Sequence, residues 1–386
     1  MAPPTITKKR RIIKTADYRQ AFIDLKYNFA FNEVTRSIEL NGKPMDSTIW
    51  AEVYCNLRNM GASNHNFVTD EVTYLAGENR YHPIKQYLNA LGYDGKDYIG
   101  QFCSFFRADQ YFEIWLKRWL IMAIARVVSG AQCPVFVLDG PQYIGKSGVA
   151  EWLCSAPKIQ KYFTEGQIQP DSKDSRIRAT QKWIWEVPEF GATTRKADQE
   201  SLKGFITLGE VTERAPYQKS DEKFPMLACF IGTINNGMAG FLSDPSGSRR
   251  FLIAHVDAID WKGYTTTLSP DQIWGQAYAE YLTGEPFELT RKELDLLEKN
   301  NQSYEITNPL QAAFESLFEL KKIPQTFTPT IEIIDALQIS GYRAGNTTAL
   351  SRDLSQLLLK FGLKKDRSRK NNSNPVMGYW GIRRII

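Results

Sequence analysis

Residues 134–147 read PVFVLDGPQYIGKS, and this stretch decides the fold. Its first six residues are mostly apolar and are bounded by a proline and a glycine, which is typical of a buried parallel strand. Residues 148–154 continue as a helix. A strand, a glycine-containing loop ending in Lys-Ser, and a helix form a P-loop, whose backbone N–H groups and helix N-terminus hold nucleotide phosphates. The stretch therefore predicts a wound α/β core with a nucleotide site.

The residue types of the loop predict their roles. Lys146 would reach the β- and γ-phosphates of ATP, and Ser147 would coordinate Mg²⁺. Gly140 and Gly145 would let the backbone fold closely around phosphate oxygens. The predicted nucleotide contacts are Gly140, Pro141, Gln142, Tyr143, Ile144, Gly145, Lys146, Ser147 and Gly148.

Three more apolar runs, at residues 182–187, 227–233 and 251–256, predict further strands of the sheet. The first places Glu186 at its end and Glu189 three residues on. One carboxylate would hold the Mg²⁺ hydration shell, with Ser147 and Glu186 as the metal candidates, while the other orients or deprotonates the attacking water. The alternative is that both acids merely decorate the end of the strand, and the division of roles stays open.

Two amides and two arginines follow in the sequence. Asn235 and Asn236 end an apolar run, where they would sense the γ-phosphate or position water; an ordinary Asx turn would use the same residues. Arg249 and Arg250 lie in the loop DPSGSRR, which suits an arginine finger acting on the ATP of a neighbouring subunit.

Composition limits the class of protein. The 386 residues are 42% hydrophobic and 24% charged, enough for a sizeable core in two or three domains, and the net charge of +5 permits a nucleic-acid partner. Five cysteines without a C-x-x-C pair and three scattered histidines argue against a disulfide framework or a zinc module. With no signal-peptide or membrane-spanning run, we expect a cytoplasmic protein.

The regions on either side of the core differ in pattern. Residues 1–105 begin with a basic tail and a hairpin turn at Asn41-Gly42, and then show helical periodicity at 50–60, 70–79 and 83–91. A longer helix at 110–128 leads to the P-loop, and the α/β core spans residues 106–300. Residues 301–386 predict three helices and a basic hairpin at 363–385, a winged-helix pattern. Helices are expected to open at Asn308-Pro309 and Thr328-Pro329 and to end at Gly362.

Basic residues cluster in two places. If residues 215–224 form a projecting hairpin, Lys219 and Lys223 would grip a phosphodiester backbone while Tyr217 stacks or packs. A solvated surface loop is the alternative there, and the C-terminal hairpin would contact duplex DNA or another protein. The candidate DNA contacts are Lys203, Arg214, Tyr217, Lys219, Lys223, Lys364, Lys365, Arg367, Arg369 and Lys370.

Several motifs occur together in a characteristic order. GPQYIGKS, WIWEVPEF, LKGF, ERAPYQ, IGTINN and DPSGSRRF are arranged as in the virulence-associated protein E family, which the chain therefore resembles. That family is similar to the D5-like and superfamily 3 helicases of phages, plasmids and mobile islands. The segment RYHPIKQYLNALGYDG at residues 80–95 resembles the part that precedes the ATPase in that family.

The resemblance implies an AAA+-type ATPase ring, commonly a hexamer, that translocates on DNA. Lys146 and Ser147 would bind MgATP, Glu186 and Glu189 match the acidic motif, Asn235 or Asn236 the sensor, and Arg249 and Arg250 the fingers. The region around Lys219 corresponds to a hairpin that faces DNA in the central channel. Tyr143-Ile144 and Gln218-Lys219 depart from the glycine and the Gly-Arg pair common in relatives.

We therefore expect an ATP-dependent DNA helicase or translocase of a mobile element, acting on single-stranded or duplex DNA. About 100 residues before the ATPase and the lack of an Asp-x-Asp pair there suggest that a primase or initiator is a separate partner. One alternative is a DNA-binding initiator or regulator that uses ATP only to assemble. Another is a small-molecule P-loop kinase, although the paired arginines and the basic tail speak against it.

Overall fold

The computed structural model describes residues 14–62, 64–190, 196–213, 222–235, 242, 249–305, 309–320, 326–342, 346–368 and 374–385. The chain divides into two compact units, Met1–Tyr304 and Glu305–Ile386. Both units mix helices and strands, as the sequence predicts at the level of fold class. Within the described residues, no helix has the length and apolar character needed to cross a bilayer. The predicted division of the first unit at residue 105 stays a prediction.

The first unit begins with a small sheet surrounded by helices. Its elements are α1 (Thr15–Asp24), β1 (Phe29–Asn32), β2 (Ser37–Leu40), β3 (Lys43–Pro44), α2 (Ser47–Asn59), α3 (His65–Glu78), β4 (Arg80–Tyr81), α4 (Pro83–Asn89) and α5 (Tyr98–Cys103). The strands lie in the order β3-β2-β1-β4. Asn41 and Gly42 have φ angles of 51° and 80° between β2 and β3, which confirms the predicted hairpin turn.

The larger part of the first unit is built on a central sheet. Its elements are β5 (Phe106–Ala108), α6 (Phe112–Ser129), β6 (Val135–Gly140), α7 (Lys146–Leu153), β7 (Phe163–Glu165), α8 (Lys173–Gln181), β8 (Ile184–Val187), α9 (Lys196–Thr207), β9 (Glu210–Glu213), β10 (Glu222–Pro225), β11 (Cys229–Asn235), β12 (Phe251–Ile259), α10 (Trp261–Thr267), α11 (Pro270–Leu282) and α12 (Arg291–Gln302). The described strands of this sheet lie in the order β5-β12-β6-β11-β8-β7. Strand β5 is antiparallel and the other pairings are parallel.

Strand β6 lies inside this sheet, between β12 and β11, and apolar layers cover both of its faces. Every residue of β6 is buried. Phe136 and Leu138 face one hydrophobic cluster, which includes Trp119 of α6, whereas Val135 and Val137 face a second cluster. A parallel strand that is buried on both faces carries a continuous apolar run, which is why PVFVLD is visible in the sequence. The carboxyl ends of β6, β8, β11 and β12 therefore meet at one edge of a rigid sheet.

The second unit is a separate small fold. Its elements are α13 (Pro309–Leu317), β13 (Phe318–Leu320), β14 (Phe327–Pro329), α14 (Thr330–Ile339), α15 (Thr347–Lys360), β15 (Asp366–Ser368), β16 (Val376–Trp380) and β17 (Ile382–Arg384). The leucines of α15 that were predicted to share a face, Leu350, Leu354, Leu357 and Leu358, are buried in one cluster. Gly362 follows α15 with a φ of 78°, as expected of a helix-ending glycine.

Two expectations for the second unit were wrong in detail. Pro329 ends β14 and caps α14, so the helix begins at Thr330 rather than at the proline. The predicted long C-terminal strand is divided at Gly381, whose φ is 83°. As a result β16 pairs with β14 and β15, while β17 pairs with β13.

Candidate nucleotide site

The loop between β6 and α7 has the backbone geometry of a phosphate cradle. Gly140 has a φ of 152°, and a Cβ placed on it would lie 2.0 Å from the carbonyl oxygen of Val256 on β12. Only glycine can therefore occupy this position without moving the neighbouring strand. Gly145 precedes the helix with a φ of 96°, and Tyr143 also has a positive φ and projects fully into solvent. The first N–H groups of α7 face the loop that these residues form.

Lys146 lies inside this loop. Its ammonium donates hydrogen bonds to the carbonyl oxygens of Gly140 and Pro141, both at 2.6 Å, and to Oδ1 of Asn235 at 3.3 Å. The side chain is buried, and burial lowers the pKa of its ammonium. The loop thus holds its cation by backbone oxygens that a phosphate group can replace.

Strand pairing places the predicted amide and the predicted acid on neighbouring strands, with Asn235 four residues beyond the partner of Glu186. Asn235, at the end of β11, pairs with Gly140 at the end of β6. On its other side, β11 pairs with β8, where Ile231 faces Glu186. The strand with the amide therefore lies between the strand with the P-loop and the strand with the acid. Asn236 lies outside the described residues.

Glu186 is a buried carboxyl group at this edge. Burial raises its pKa to about 7, and a hydrogen bond with Ser147 opposes that rise. Thr233 donates a long hydrogen bond of 3.5 Å to Oε1, while Oε2 is buried without a hydrogen-bond partner among the described residues. Since an unsatisfied buried carboxylate oxygen is costly, the site is suited to a water molecule or a hydrated cation.

The oxygens of Ser147 and Glu186 fit Mg²⁺. This ion prefers hard oxygen ligands and in nucleotide sites takes one or two from the protein, with the remainder supplied by phosphates and water. No cluster of three or more His, Cys, Asp or Glu residues occurs in the described part of the chain, so a cage made by protein alone is not present there. The Ser147–Glu186 pair, already within hydrogen-bonding reach, has the composition that a nucleotide-dependent Mg²⁺ site needs.

Glu189 differs from Glu186 in its surroundings. It is exposed and has a φ of 48°, in the left-handed region. It lies two residues beyond β8 and three residues from Glu186, and its predicted role stays a prediction.

Arg249 and Arg250 lie at the opposite edge of the sheet. They directly precede β12, whose first residue, Phe251, pairs with Val135 at the start of β6. The length of β6 therefore separates them from the P-loop of their own chain, roughly 17 Å for five steps of 3.3 Å. Both arginines line an open cavity of about 600 Å³, and Nε of Arg250 is buried without a hydrogen-bond partner in the described chain.

The predicted hairpin is present in part. Strands β9 and β10 pair antiparallel, and Lys223 on β10 is exposed and forms a 2.5 Å ion pair with Glu210 on β9. Its predicted tip contacts Arg214, Tyr217 and Lys219 lie outside the described residues. Lys203 does not suit a DNA contact, because its helix buries it and leaves only 6% of the residue exposed.

The buried Arg126 anchors the base of this hairpin, a role that the sequence did not reveal. Its guanidinium donates to the carbonyl oxygens of Leu208 and Met226, which flank the two strands. The signal in the sequence was the position of Arg126 near the end of an apolar helix. A charged residue that such a helix buries is usually paired.

A basic cleft lies beside the hairpin, and no sequence pattern indicated it. We use this name for a cavity of about 890 Å³ that is lined in part by Arg36, Arg80, Lys85, Lys223 and Phe224. The guanidinium of Arg36 lies 3.4 Å from the ring centre of Phe224. Arg80 lies 4.5 Å from the ring centre of Phe31 and 3.5 Å from a carboxylate oxygen of Glu33. Glu33 is the single carboxylate among the lining residues, so the cleft favours an anion.

In the second unit the predicted basic residues are exposed where the structure describes them. Lys364, Lys365 and Arg367 lie at the surface on and just before β15. Arg369 and Lys370 lie outside the described residues. A groove lined by residues of α14, α15 and β16 includes Lys365 and Arg352.

A polar cluster beside the P-loop was missed in the sequence. Asp139, the residue before Gly140, is buried, and its Oδ2 lies 2.9 Å from Nδ1 of His255 and 3.2 Å from the hydroxyl of Tyr304. The hydrogen bond with Asp139 raises the pKa of His255. Asp139 and His255 are far apart in sequence and meet because β12 pairs with β6, while Tyr304 follows α12.

The chain was compared with known protein families and structures. A model of the virulence-associated protein E-like domain matches residues 88–306. The A-form apo structure of the NrS-1 C-terminal region (305–718) covers 94% of this chain and 98% of its own, with a TM-score of 0.54 at 11% identity. Another apo structure of that region has a TM-score of 0.56 at 12% identity with the same coverage. At this identity the likeness shows a shared fold. No curated protein matches the sequence significantly.

Proposed function

The chain belongs to the virulence-associated protein E-like family, and from this premise we propose that it is an ATP-dependent DNA helicase or translocase in the replication of a mobile element. The observation that carries the proposal is the meeting of Lys146, Ser147, Glu186 and Asn235 at one edge of the sheet. These residues supply a cation, a hydroxyl, a carboxylate and an amide to one point, the groups that phosphoryl transfer from ATP to water requires.

ATP binding uses the loop and its lysine. The backbone N–H groups at the start of α7 and the ammonium of Lys146 bind the phosphates, whose oxygens replace the carbonyls of Gly140 and Pro141 as acceptors. Because those carbonyls already hold the ammonium at the correct place, little rearrangement is needed. The amide of Asn235, hydrogen-bonded to Lys146, then lies beside the terminal phosphate.

Hydrolysis uses the buried carboxylate. A water attacks the γ-phosphorus, the bond to the β–γ bridging oxygen breaks, and Glu186 orients the water or accepts its proton. A pKa of about 7 is suited to a general base at neutral pH. Mg²⁺ would be held by the hydroxyl of Ser147 and by the phosphates, with Glu186 reaching it only through the water molecules of the ion, and would neutralise charge that develops on the phosphate oxygens.

The strand order supports an AAA+-type core that works in a ring. The strand bearing Asn235 lies between the P-loop strand and the acid strand, so the amide can respond to the terminal phosphate from the side. Arg249 and Arg250 lie at the far edge of the same sheet, and this distance from their own P-loop supports a role on the nucleotide of another subunit. We therefore propose a homo-oligomeric ring, with a hexamer as the expected form and residues 106–300 as its ATPase domain.

DNA contacts are proposed in both units. In the first unit the basic cleft and the β9–β10 hairpin carry cations beside aromatic rings, a combination that holds single strands without sequence preference. In the second unit, the three helices and exposed basic strand support a winged-helix domain that contacts duplex phosphates through Lys364, Lys365 and Arg367. A separate primase or initiator remains a proposed partner.

A strand-displacement assay tests this function. The purified chain is incubated with ATP, Mg²⁺ and a forked duplex with a labelled strand, and Lys146→Ala serves as the matched control. We expect ATP-dependent release of the strand by the wild-type chain and none by the variant. ATP-dependent assembly on DNA without strand release or movement would instead favour the initiator that uses ATP only to assemble.

A further inference from the structure

A second cavity opens beside the P-loop and has no role in the chemistry described above. It has a volume of about 510 Å³ and is lined by Gly145 and Gly148 together with the aromatic side chains of Trp152, Phe163 and Trp261. We infer that this cavity holds the base of a purine nucleoside triphosphate, with the indole of Trp261 as the stacking surface. The inference rests on the proposed nucleotide site and names the part of the substrate that the P-loop does not bind.

The order of the strands places Trp261 on the side of β6 away from Glu186, while Phe163, at the start of β7, lines the opposite wall of the cavity. Glu186 and Asn235 are carried by β8 and β11, which lie on one side of β6. Trp261 begins α10, which follows β12 on the other side of β6. A triphosphate that presents its terminal phosphate to Glu186 therefore has its α-phosphate and nucleoside directed toward α10.

The indole lies against the loop backbone. A Cβ placed on Gly145 would lie 3.8 Å from Cδ1 of Trp261, an ordinary van der Waals distance. The ring therefore lies beside the N-terminus of α7, where the phosphates would bind.

Trp261 is exposed in a way that a core tryptophan is not. It is 52% exposed, whereas Trp152 and Tyr264 behind it are buried and meet edge to face, with ring centres 4.9 Å apart. The cavity thus has a rigid aromatic wall and a half-exposed indole, and the ammonium of Lys262 lies 5.5 Å from the ring centre of Trp261. Every nucleobase has a π face that can stack on such a ring, and purines offer the larger one.

The rim of the cavity is polar. Glu151, Gln160 and Thr265 are exposed residues that line it. Their oxygen atoms can accept hydrogen bonds from an exocyclic amino group, as a nucleotide pocket with a few polar groups around an apolar wall requires. The stacking face and the rim together favour a nucleotide over inorganic polyphosphate.

Calorimetric titration in the absence of DNA separates the contribution of the base to binding affinity from the contribution of the phosphates. Dissociation constants of Mg-ATP and Mg-tripolyphosphate are measured for the wild type, Trp261→Ala, Trp261→Phe, and the control Trp380→Ala, which removes an exposed tryptophan of the second unit. We expect Trp261→Ala to weaken ATP binding roughly 5- to 100-fold, the usual range for loss of a stacked base. Tripolyphosphate binding should stay within about twofold, and Trp261→Phe should recover most of the ATP affinity.

The outcomes distinguish this inference from the proposed function. Equal ATP affinity in Trp261→Ala and wild type, or equal loss of ATP and tripolyphosphate, would overturn the base pocket while the P-loop stands. Tripolyphosphate binding as tight as ATP in the wild type would do the same. If the wild type binds neither ligand, the nucleotide site itself is refuted and the base pocket with it.

Discussion

The ammonium of Lys146 lies 3.3 Å from Oδ1 of Asn235, and this contact joins the P-loop to the end of the neighbouring strand β11. Neither residue would be placed correctly by its own segment alone. The lysine is set by a glycine-containing loop, and the amide by the pairing of Asn235 with Gly140. The contact therefore depends on both the loop conformation and the strand register.

Replacement of Asn235 by alanine removes the amide but leaves the loop. We expect ATP hydrolysis to fall about 100-fold, the usual effect of losing one preorganised group that acts on the transition state, while the dissociation constant for ATP changes only a few-fold. Single-turnover hydrolysis and equilibrium binding measure the two effects separately. An equal loss in binding and turnover would mean that Asn235 only supports the folded loop.

Replacement of Glu186 by glutamine keeps the size of the side chain and removes its charge. Hydrolysis should fall at least about 100-fold because general-base catalysis is lost, and ATP should still bind. Glu189→Gln is the matched variant, since Glu189 is an exposed acid three residues away. Loss of turnover in Glu189→Gln with activity kept in Glu186→Gln would reverse the roles that the structure suggests.

Glu186 should also make stability depend on pH. Burial raises its pKa from 4.5 to about 7, so the folded chain binds a proton more strongly than the unfolded chain does. The stabilisation from the protonated form is complete below pH 4.5 and is lost as the pH rises toward 7, by at most about 3 kcal/mol. Chemical unfolding at pH 5 and pH 8 should show this loss in the wild type and a smaller one in Glu186→Gln. An unchanged pH slope in the variant would show that Glu186 titrates normally.

Arg249 should act on the ATP of another subunit. The structure places it at the edge of the sheet opposite to its own P-loop. Arg249→Ala and Lys146→Ala are each expected to abolish hydrolysis alone. In mixed assemblies, an intact Lys146 of one subunit can meet an intact Arg249 of another, so the mixture should recover part of the activity. If mass measurement shows that the assemblies contain both variants and ATP hydrolysis does not recover, the result would contradict sites shared between subunits.

The basic cleft should bind single-stranded DNA. Arg80→Ala combined with Lys85→Ala should weaken binding of a labelled oligothymidylate and reduce the slope of log affinity against log salt by about 0.7 for each phosphate that the variant no longer neutralises. Fluorescence anisotropy at several salt concentrations measures both. Lys43→Ala with Arg58→Ala is the control, because both residues are exposed in the same part of the chain but lie outside the cleft. A similar effect of the two double variants would indicate only a change in net charge.

Much of the candidate nucleotide site can be predicted from the sequence because its signals are local. The run before Gly140, the glycines of the loop and the acid and amide at strand ends all lie within a few residues of the patterns that define their elements. Strand β8 was predicted at 182–187 and is found at Ile184–Val187, and β11 was predicted at 227–233 and is found at Cys229–Asn235. Apolar runs of buried parallel strands make such predictions possible.

The remaining features depend on pairings between distant segments. The Asp139–His255 contact needs the order of strands, and the basic cleft brings together Arg36, Arg80 and Lys223, which no sequence pattern connects. Lys203 was assigned to DNA by its charge, yet its helix turns it inward. A charged residue can be assigned to the protein surface from sequence only when the exposed face of its helix or strand is also known.

ATP hydrolysis measured with and without single-stranded DNA tests the central claim most directly. The account predicts steady-state turnover that rises several-fold with DNA and disappears in Lys146→Ala under both conditions. Turnover indifferent to DNA, or tight ATP binding with no turnover in the wild type, would contradict a motor built on Lys146, Glu186 and Asn235.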